Sequence, residues 1–514
     1  MVYAAYGVSG LTGIVGTFFV KDYLDLSAEF LAALGFWAGI PWAVKMPVGH
    51  VVDLIWRWKA ALVWLGAGMI AASLLVMIGL ISHLDAMRAV MSAKQWYVLA
   101  ALLSPTGYMI QDAVADAMTV EAVPRVDEAG KPYDQPARKA MHTTMQTLGR
   151  VAVIGGLALV AAGNVFLFYG AEDLPQPQKA ALYALVYKIA LVIPVLSVLG
   201  VVLHGALKMR DAARLRRQGR SQGEIERIMR VQGEERTQPN WWVLGGSLAF
   251  VVITLSVGLG GVPYGQELIF LGSLAVILSL LWRLARELEP EAREMLVATA
   301  LILFVFRAMP GTGPGTSWWM IDVLKFDESF LAKLSLVAYA LTLAGMFALR
   351  RFMAERSIPT IVVVLTLAGG ALSLPNIGMY YGLHHWSAAH TGGIVDARMI
   401  ALIDTALESP LGQIAMIPML AWIANSAPVN LKATYFAVMA SFSNLALSAG
   451  QLGTKYLNQA FIVTREVRDH ATGALQVPAD YSEVGWLMIS ATAIGVAVPL
   501  VTVAVVRALR LRTA

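Results

Sequence analysis

Cysteine is absent from all 514 residues. Disulfide frameworks, thiolate metal sites and cysteine nucleophiles are therefore excluded, and thiol usage says nothing about redox compartment. Charge is scarce too: Asp, Glu, Lys and Arg make up 14% of the chain, against about 25% in a soluble globular protein. No phosphate-binding loop and no HExxH run occurs, so ATP-driven pumping has no support. The first residues, "MVYAAYGVSG", lack a basic lead-in and read as an uncleaved first span rather than a signal peptide.

Apolar residues fill the space that charge leaves, at 58% of the chain with a mean hydropathy of +0.64. Runs of about 18 or more apolar residues recur along the sequence, each long enough to cross ~30 Å of hydrocarbon. This is the composition of a polytopic integral membrane protein. Spans are expected near 3–20, 31–55, 60–82, 96–122, 141–168 and 180–207, before a polar stretch at 208–240. Eight more follow near 241–259, 266–284, 295–320, 330–350, 359–382, 398–424, 432–457 and 484–506, about fourteen in all.

Basic residues cluster at alternate span ends: Arg57 and Lys59; Arg125, Lys131, Arg138 and Lys139; Arg210 to Arg220; Arg350, Arg351 and Arg356; Arg507, Arg510 and Arg512. The opposite loops, near 21–30, 83–95, 169–179 and 383–397, are poor in Lys and Arg. The basic side is expected to be cytoplasmic, in a bacterial inner membrane, with both termini on it. The pI near 9.2 comes from these loops and is no argument for nucleic acid. The basic loop "RLRRQGRSQGEIERIMR" reads as a solvated or membrane-surface helix drawn to anionic lipid.

Two segments 300 positions apart are alike: "FFVKDYLDLSAEFLAALG" from Phe18 and "WWMIDVLKFDESFLAKLS" from Trp318. Asp22 matches Asp322, and the run 30–32 matches 330–332. Tandem similarity in a membrane chain suggests two homologous halves in parallel orientation. The expected organisation is an all-α protein of two six-helix bundles, 1–207 and 294–514. Between them come the basic loop 208–240 and an inserted two-helix hairpin with its connector, 241–293.

Charged residues inside the spans are the candidate site. In "GIPWAVKMPVGHVVD", Lys45 lies eight residues, roughly 12 Å, from Asp53 at the cytoplasmic end of its helix. An ammonium at that depth costs about 2.5–3.5 kcal/mol, so it should face a cavity or a carboxylate. It is either a structural ion pair or a contact for an anionic substrate or proton relay. "QDAVADA" places Asp112 and Asp116 at i, i+4 on one face. Two desolvated carboxylates so placed raise each other's affinity for protons, unless one merely neutralises Lys45 or Arg150. "IALIDTALE" repeats the spacing with Asp404 and Glu408. Glu121, nearer the surface, fits a gate or loop network.

"FRAMPGTGPGTSWW" combines Pro310 and Pro314 with Gly311, Gly313 and Gly315. Such a break at membrane depth is tolerated where freed carbonyls face protein or a water-filled cavity. Arg307, one turn before it, can hold a carboxylate. Trp318 and Trp319 read first as an interfacial belt and second as a plane on which a substrate ring stacks. Gly7, Gly10, Gly13 and Gly16, three apart, read first as close helix packing and second as cavity lining. His384, His385 and His390 fall in an outer loop with no ligand expected.

The same residues resemble the folate–biopterin transporter family, a branch of the major facilitator superfamily. The stretches that carry the likeness are "GIPWAVKMPVGHVVD", "QDAVADA", "ESPLGQIAMIPMLAWIANSAP" and "ATYFAVMASFSNLALSAG". "GHVVDLIWRWK" is also similar to the superfamily's loop between helices two and three, with Gly49, Asp53, Arg57 and Lys59 in matching positions. The resemblance covers most of the chain except the hairpin and the basic loop. It implies uptake of pteridine-type or other small solutes together with protons. "QDAVADA" and the helix count are similar to muropeptide permeases too.

The expected function is a proton-coupled secondary transporter with alternating access, for a small anionic or heteroaromatic solute such as a folate or pteridine. Lys45, Arg307, Trp42 and Trp318 would meet substrate, and Asp112, Asp116, Asp404 and Glu408 would carry protons. Gly49, Asp53, Arg57, Lys59, Glu121 and Arg150 would serve gating. Partners are the substrate, protons and membrane lipid, around a monomer without cofactor or metal. The alternatives are a muropeptide or sugar-peptide permease, a transporter-like assembly factor, or a prenyltransferase-type enzyme, which would need denser aspartate motifs than D-x-x-x-D.

Overall fold

The computed structural model describes residues 1–24, 26–43, 45–55, 58–121, 135–223, 262–286, 288–412, 432–468 and 475–513, with isolated positions in 241–257 and 414–419. The first part of the chain forms α1 (Val2–Val8), α2 (Gly13–Tyr23), α3 (Ala28–Ala43), α4 (Lys45–Leu54), α5 (Lys59–Ser82), α6 (Leu84–Val90), α7 (Ala93–Glu121), α8 (Gln135–Leu167), α9 (Gln176–Ala190) and α10 (Val192–Arg217). The later part forms α11 (Gly265–Ala285), α12 (Pro290–Arg307), α13 (Pro314–Asp322), α14 (Glu328–Ala348), α15 (Arg350–Glu355), α16 (Ile358–Tyr380), α17 (Leu383–His390), α18 (Ala397–Glu408), α19 (Lys432–Ala460) and α20 (Val484–Ala508). One short antiparallel pair, β1 (Val467–Arg468) with β2 (Leu475–Val477), lies between the last two helices. The protein is an all-α membrane protein in which nine of the described segments are long and apolar enough to cross a bilayer.

Local chemistry explains several helix ends. Asp327 caps α14 by accepting from the Phe330 amide at 2.7 Å, and Asp396 caps α18 from Met399 at 2.9 Å. Gly170 and Gly382, at φ 70° and 89°, take the left-handed turn after α8 and α16.

Some expected spans divide. The segment 3–20 is not one helix: a 3-10 turn, Ser9–Thr12, separates α1 from α2. Ser9 Oγ donates back to the Tyr6 carbonyl at 2.6 Å, competing with regular helix bonding there. The segment 180–207 divides at Leu191, because Pro194 has no amide for the Ala190 carbonyl and crowds it. Helix α10 then runs on to Arg217, so the basic loop begins as helix. The segment 31–55 is read as α3 and α4 on either side of position 44, which lies outside the described residues. So does most of 241–259, the first arm of the expected hairpin; α11 is the second arm.

One buried core gathers Val15, Phe19, Ile70, Tyr183 and Ile193 from the first part of the chain. Two more gather later residues, Ile302, Val362, Leu445 and Val503 in one and Trp319, Phe326, Met379 and Leu487 in the other. Across the seam between these sets, α3 packs along α19 and α8 packs along α14. The glycine stripe of the first helix has two uses. A Cβ on Gly7 would lie 2.3 Å from the Val153 carbonyl oxygen, so α1 and α8 touch backbone to backbone. Gly13 has open space instead and lines a cavity.

One end of the seam is closed by polar contacts. Lys21 Nζ pairs with Asp322 at 2.6 Å, and Tyr481 donates to the same carboxylate. Arg465 donates to the Lys21 carbonyl, Gln459 to Glu29 at 2.6 Å and Tyr183 to Glu328 at 2.5 Å. The two loops that share the internal repeat thus face one another.

Candidate functional site

Below that closure, the first residue of α4 meets the acidic face of α7. Lys45 Nζ donates to Asp112 Oδ2 and to Asp116 Oδ2, and Tyr3 of α1 donates its hydroxyl to Asp116 Oδ1. The i, i+4 spacing turns both carboxylates toward one ammonium. The side chains keep 18%, 24% and 38% of their surface for Lys45, Asp112 and Asp116, so the triad is not sealed. Two carboxylates share this one ammonium, so a proton on either would still leave Lys45 an anionic partner.

Aromatic rings lie beside it. Tyr6 packs edge-on against Trp42 at 5.8 Å and against Tyr108 at 5.4 Å. The Trp42 carbonyl accepts from Asn444 of α19 at 3.1 Å, which ties this wall to the other side of the seam.

Two guanidinium groups complete the charge pattern. Arg150 of α8 lies within electrostatic reach of Asp112, Tyr3 and Tyr6. Arg307, the last residue of α12, sits close enough to Arg150 to repel it. Arg307 donates its Nε to the Ser443 carbonyl at 3.3 Å. Among the described residues, neither arginine has a carboxylate at ion-pair distance.

After Arg307 the helix is interrupted through Gly313, which holds φ 73°. Protein groups satisfy the freed backbone: Gly311 N donates to Thr454 Oγ1 at 2.9 Å, and Asn458 Nδ2 donates to the Thr312 carbonyl at 3.3 Å. Trp318 and Trp319, at 2% and 3% exposure, are buried in the protein. The interfacial-belt reading is therefore corrected: Trp319 packs into a buried core, and the Arg465 guanidinium stands 5.5 Å from the Trp318 ring. Trp318 lines a cavity of about 390 Å³ with Gly13, Gly16, Gly35, Tyr97 and Ser317, and none of the charged triad borders it.

The second acidic pair is built differently. Asp404 is buried and accepts from Asn376 Nδ2 at 2.6 Å, with its other oxygen unpartnered. Glu408 is exposed. The structure brings neither to Lys45, since α18 packs between α14 and α16. Lys59 opens α5. The side chains of Gly49, Asp53, Arg57 and Glu121 lie outside the described residues.

The motif reading overlooked Tyr3 and Tyr6, although a pair of phenols at i, i+3 in an apolar helix was a visible signal. It also overlooked Asn376, 28 positions before its partner Asp404, and the closure by Lys21 and Tyr481, whose partner Asp322 is more than a hundred positions from each.

The model of the BT1 family matches residues 254–511. A folate-biopterin transporter of Synechocystis sp. is 22% identical over 464 residues, spanning 89% of this chain and 74% of that one. Among solved structures, a POT family transporter in complex with 5-aminolevulinic acid superposes with a TM-score of 0.62 at 11% identity, covering 98% of this chain and 94% of the other. The nucleoside transporter NupG gives 0.53 at 12% identity over 98% and 97%. The inward-open xylose transporter XylE of E. coli gives 0.51 at 10% identity over 98% and 92%. The fold is that of the major facilitator transporters.

Proposed function

The chain belongs to the BT1 family and is a membrane transporter rather than an enzyme, and from that premise we propose proton-coupled uptake of a small anionic heteroaromatic solute by alternating access. The name of the Synechocystis relative points to a folate or pteridine as that solute. The observation that carries the reading is the Lys45 ammonium shared by Asp112 and Asp116.

The triad supplies the coupling. With both carboxylates ionised, three charged groups must be desolvated together as the seam closes, and one proton leaves a neutral acid beside a single ion pair. The arginines supply the substrate contact: an anionic group between Arg150 and Arg307 would offset their repulsion, and α8 and α12 lie on opposite sides of the seam. Counting Lys45, Arg150 and Arg307 against the two aspartates leaves one positive charge, which a monoanion balances, and protonation leaves two, which suits a dianion. Tyr6, Trp42 and Tyr108 offer a wall on which a flat ring can stack.

Within this reading the bundles are 1–207 and 294–514, and the closed end carrying Lys21 and Asp322 faces away from the cytoplasm. The basic loops and both termini face the cytoplasm of a bacterial inner membrane. The deciding experiment is uptake into liposomes with an imposed pH gradient, using folates, reduced pteridines and muropeptides side by side. Accumulation of a folate or pteridine that collapses with a protonophore is the expected result. Uptake of muropeptide alone, or of any solute regardless of the gradient, would refute it.

A further inference from the structure

The inserted hairpin has no part in the site above, yet its described arm lies on the seam. Helix α11 packs chiefly against α19 and reaches α3 as well. Gln266 Nε2 donates to the Ala33 carbonyl of α3 at 3.0 Å. Glu267 Oε1 accepts from Lys455 Nζ of α19 at 2.9 Å and from the Tyr456 hydroxyl. Between these three helices lies a cavity of about 620 Å³, bordered by Trp37, Tyr264, Gln266, Glu267, Lys455 and Tyr456.

Two features of this cavity are unexplained by packing. Gln266 Oε1 and Glu267 Oε2 are buried acceptors without any hydrogen-bond partner, which costs free energy unless a donor arrives. Tyr264 holds φ 57°, a left-handed conformation unfavourable for tyrosine, and the residue is 75% exposed beside the cavity.

The depth of these groups is uniform. Glu267 is two residues into α11, Ala33 five residues into α3, and Lys455 five residues before the end of α19. At 1.5 Å per residue each polar group lies roughly 3–8 Å inside the helix ends. With these helix ends set at the bilayer surface, that is the level of lipid headgroups, where tyrosine and tryptophan are enriched. Tyr264, Val262 and Tyr456 are exposed on the outer surface there, so an amphiphile can enter from the bilayer.

We infer that the cavity between α11, α3 and α19 holds the headgroup of a phospholipid that carries a primary ammonium. The ammonium N–H groups supply donors to Glu267 Oε2 and Gln266 Oε1, and the phosphate faces Lys455, whose ammonium has donors to spare. A paired Glu267 and Lys455 match a zwitterion without net charge. A trimethylated headgroup has the same phosphate but no N–H to give. Because the lipid touches helices from both sides of the seam, its occupancy bears on the outer closure.

Native mass spectrometry of the full chain, titrated with phosphatidylethanolamine and phosphatidylcholine of identical acyl chains, tests this. The expected preference for phosphatidylethanolamine is about tenfold, the ratio one charge-assisted hydrogen bond supports. Glu267→Gln keeps shape and removes the charge, and should bring the two lipids close to parity. Equal retention of both lipids by the wild type would overturn the inference and leave the acceptors to water. A preference that survives Glu267→Gln would place the lipid elsewhere. Tightest retention of phosphatidylglycerol, unaffected by that substitution, would overturn the ammonium assignment. The wild-type comparison needs no variant, so a folding defect in Glu267→Gln leaves the first outcome decisive.

Discussion

Lys45 answers for its position by holding two carboxylates at once, and either one alone would already have neutralised it. Removing the ammonium leaves Asp112 and Asp116 side by side without the cation they share. Lys45→Met is therefore expected to abolish uptake while the protein still inserts and elutes as a single species. Asp112→Asn imitates the protonated state. It should lose accumulation driven by a pH gradient and retain solute exchange between the two sides of a liposome. Indifference of exchange and accumulation alike to this change would remove Asp112 from the coupling. Arg307→Lys keeps the charge and loses the planar fork, so the apparent KM for a carboxylate-bearing solute should rise roughly tenfold or more, the cost of one charge-assisted bond. An unchanged KM would assign Arg307 to anchoring α12 on Ser443.

At the scale of elements, the breaks decide where side chains point. The Pro–Gly run after Arg307 was visible as an interruption, because proline withholds a donor and glycine tolerates φ 73°. What receives the freed groups was not visible, since Thr454 and Asn458 lie some 140 positions later. A Cβ on Gly313 would stand 2.7 Å from Asn458 Nδ2 in a left-handed conformation. Gly313→Ala should thus cost about 1–3 kcal/mol and lower the midpoint of thermal unfolding in detergent. A wild-type melting curve for Gly313→Ala would show that the turn can relax. The repeat was legible in the same way. Its two acidic loops align in sequence, yet one supplies Lys21 and the other the Asp322 that binds it. The two similar segments thus contribute complementary groups to one contact.

At the scale of the whole molecule, Lys21, Asp322, Arg465 and Tyr481 join the two sides of the seam at one end. Burial, and after it the Asp322 carboxylate, raise the pKa of the Tyr481 phenol, so Tyr481 remains a donor at neutral pH. Lys21→Ala removes an ion pair and should shift the population toward opening at that end. The absence of cysteine makes this measurable. A single Ser317→Cys, on the wall of the neighbouring cavity, should react faster with an impermeant maleimide when Lys21→Ala is also present. Equal rates would mean that Lys21 does not hold the closure.

Much was determined along the chain itself. Long apolar runs dictate membrane helices because no other open structure satisfies its backbone in hydrocarbon. The i, i+4 aspartates, the buried lysine and the Pro–Gly break are local patterns, and a helix converts local spacing into a shared face. Tertiary structure alone decided the pairings: Lys45 with α7, Tyr3 with Asp116, Arg150 near Arg307, α11 across the seam. Spacing along one helix carries no information about its neighbour. The second acidic pair shows the limit most clearly, for Asp404 and Glu408 have the same spacing as Asp112 and Asp116 and yet, among the described residues, meet no lysine. Charge patterns in sequence state what must be compensated, and packing chooses the compensating group.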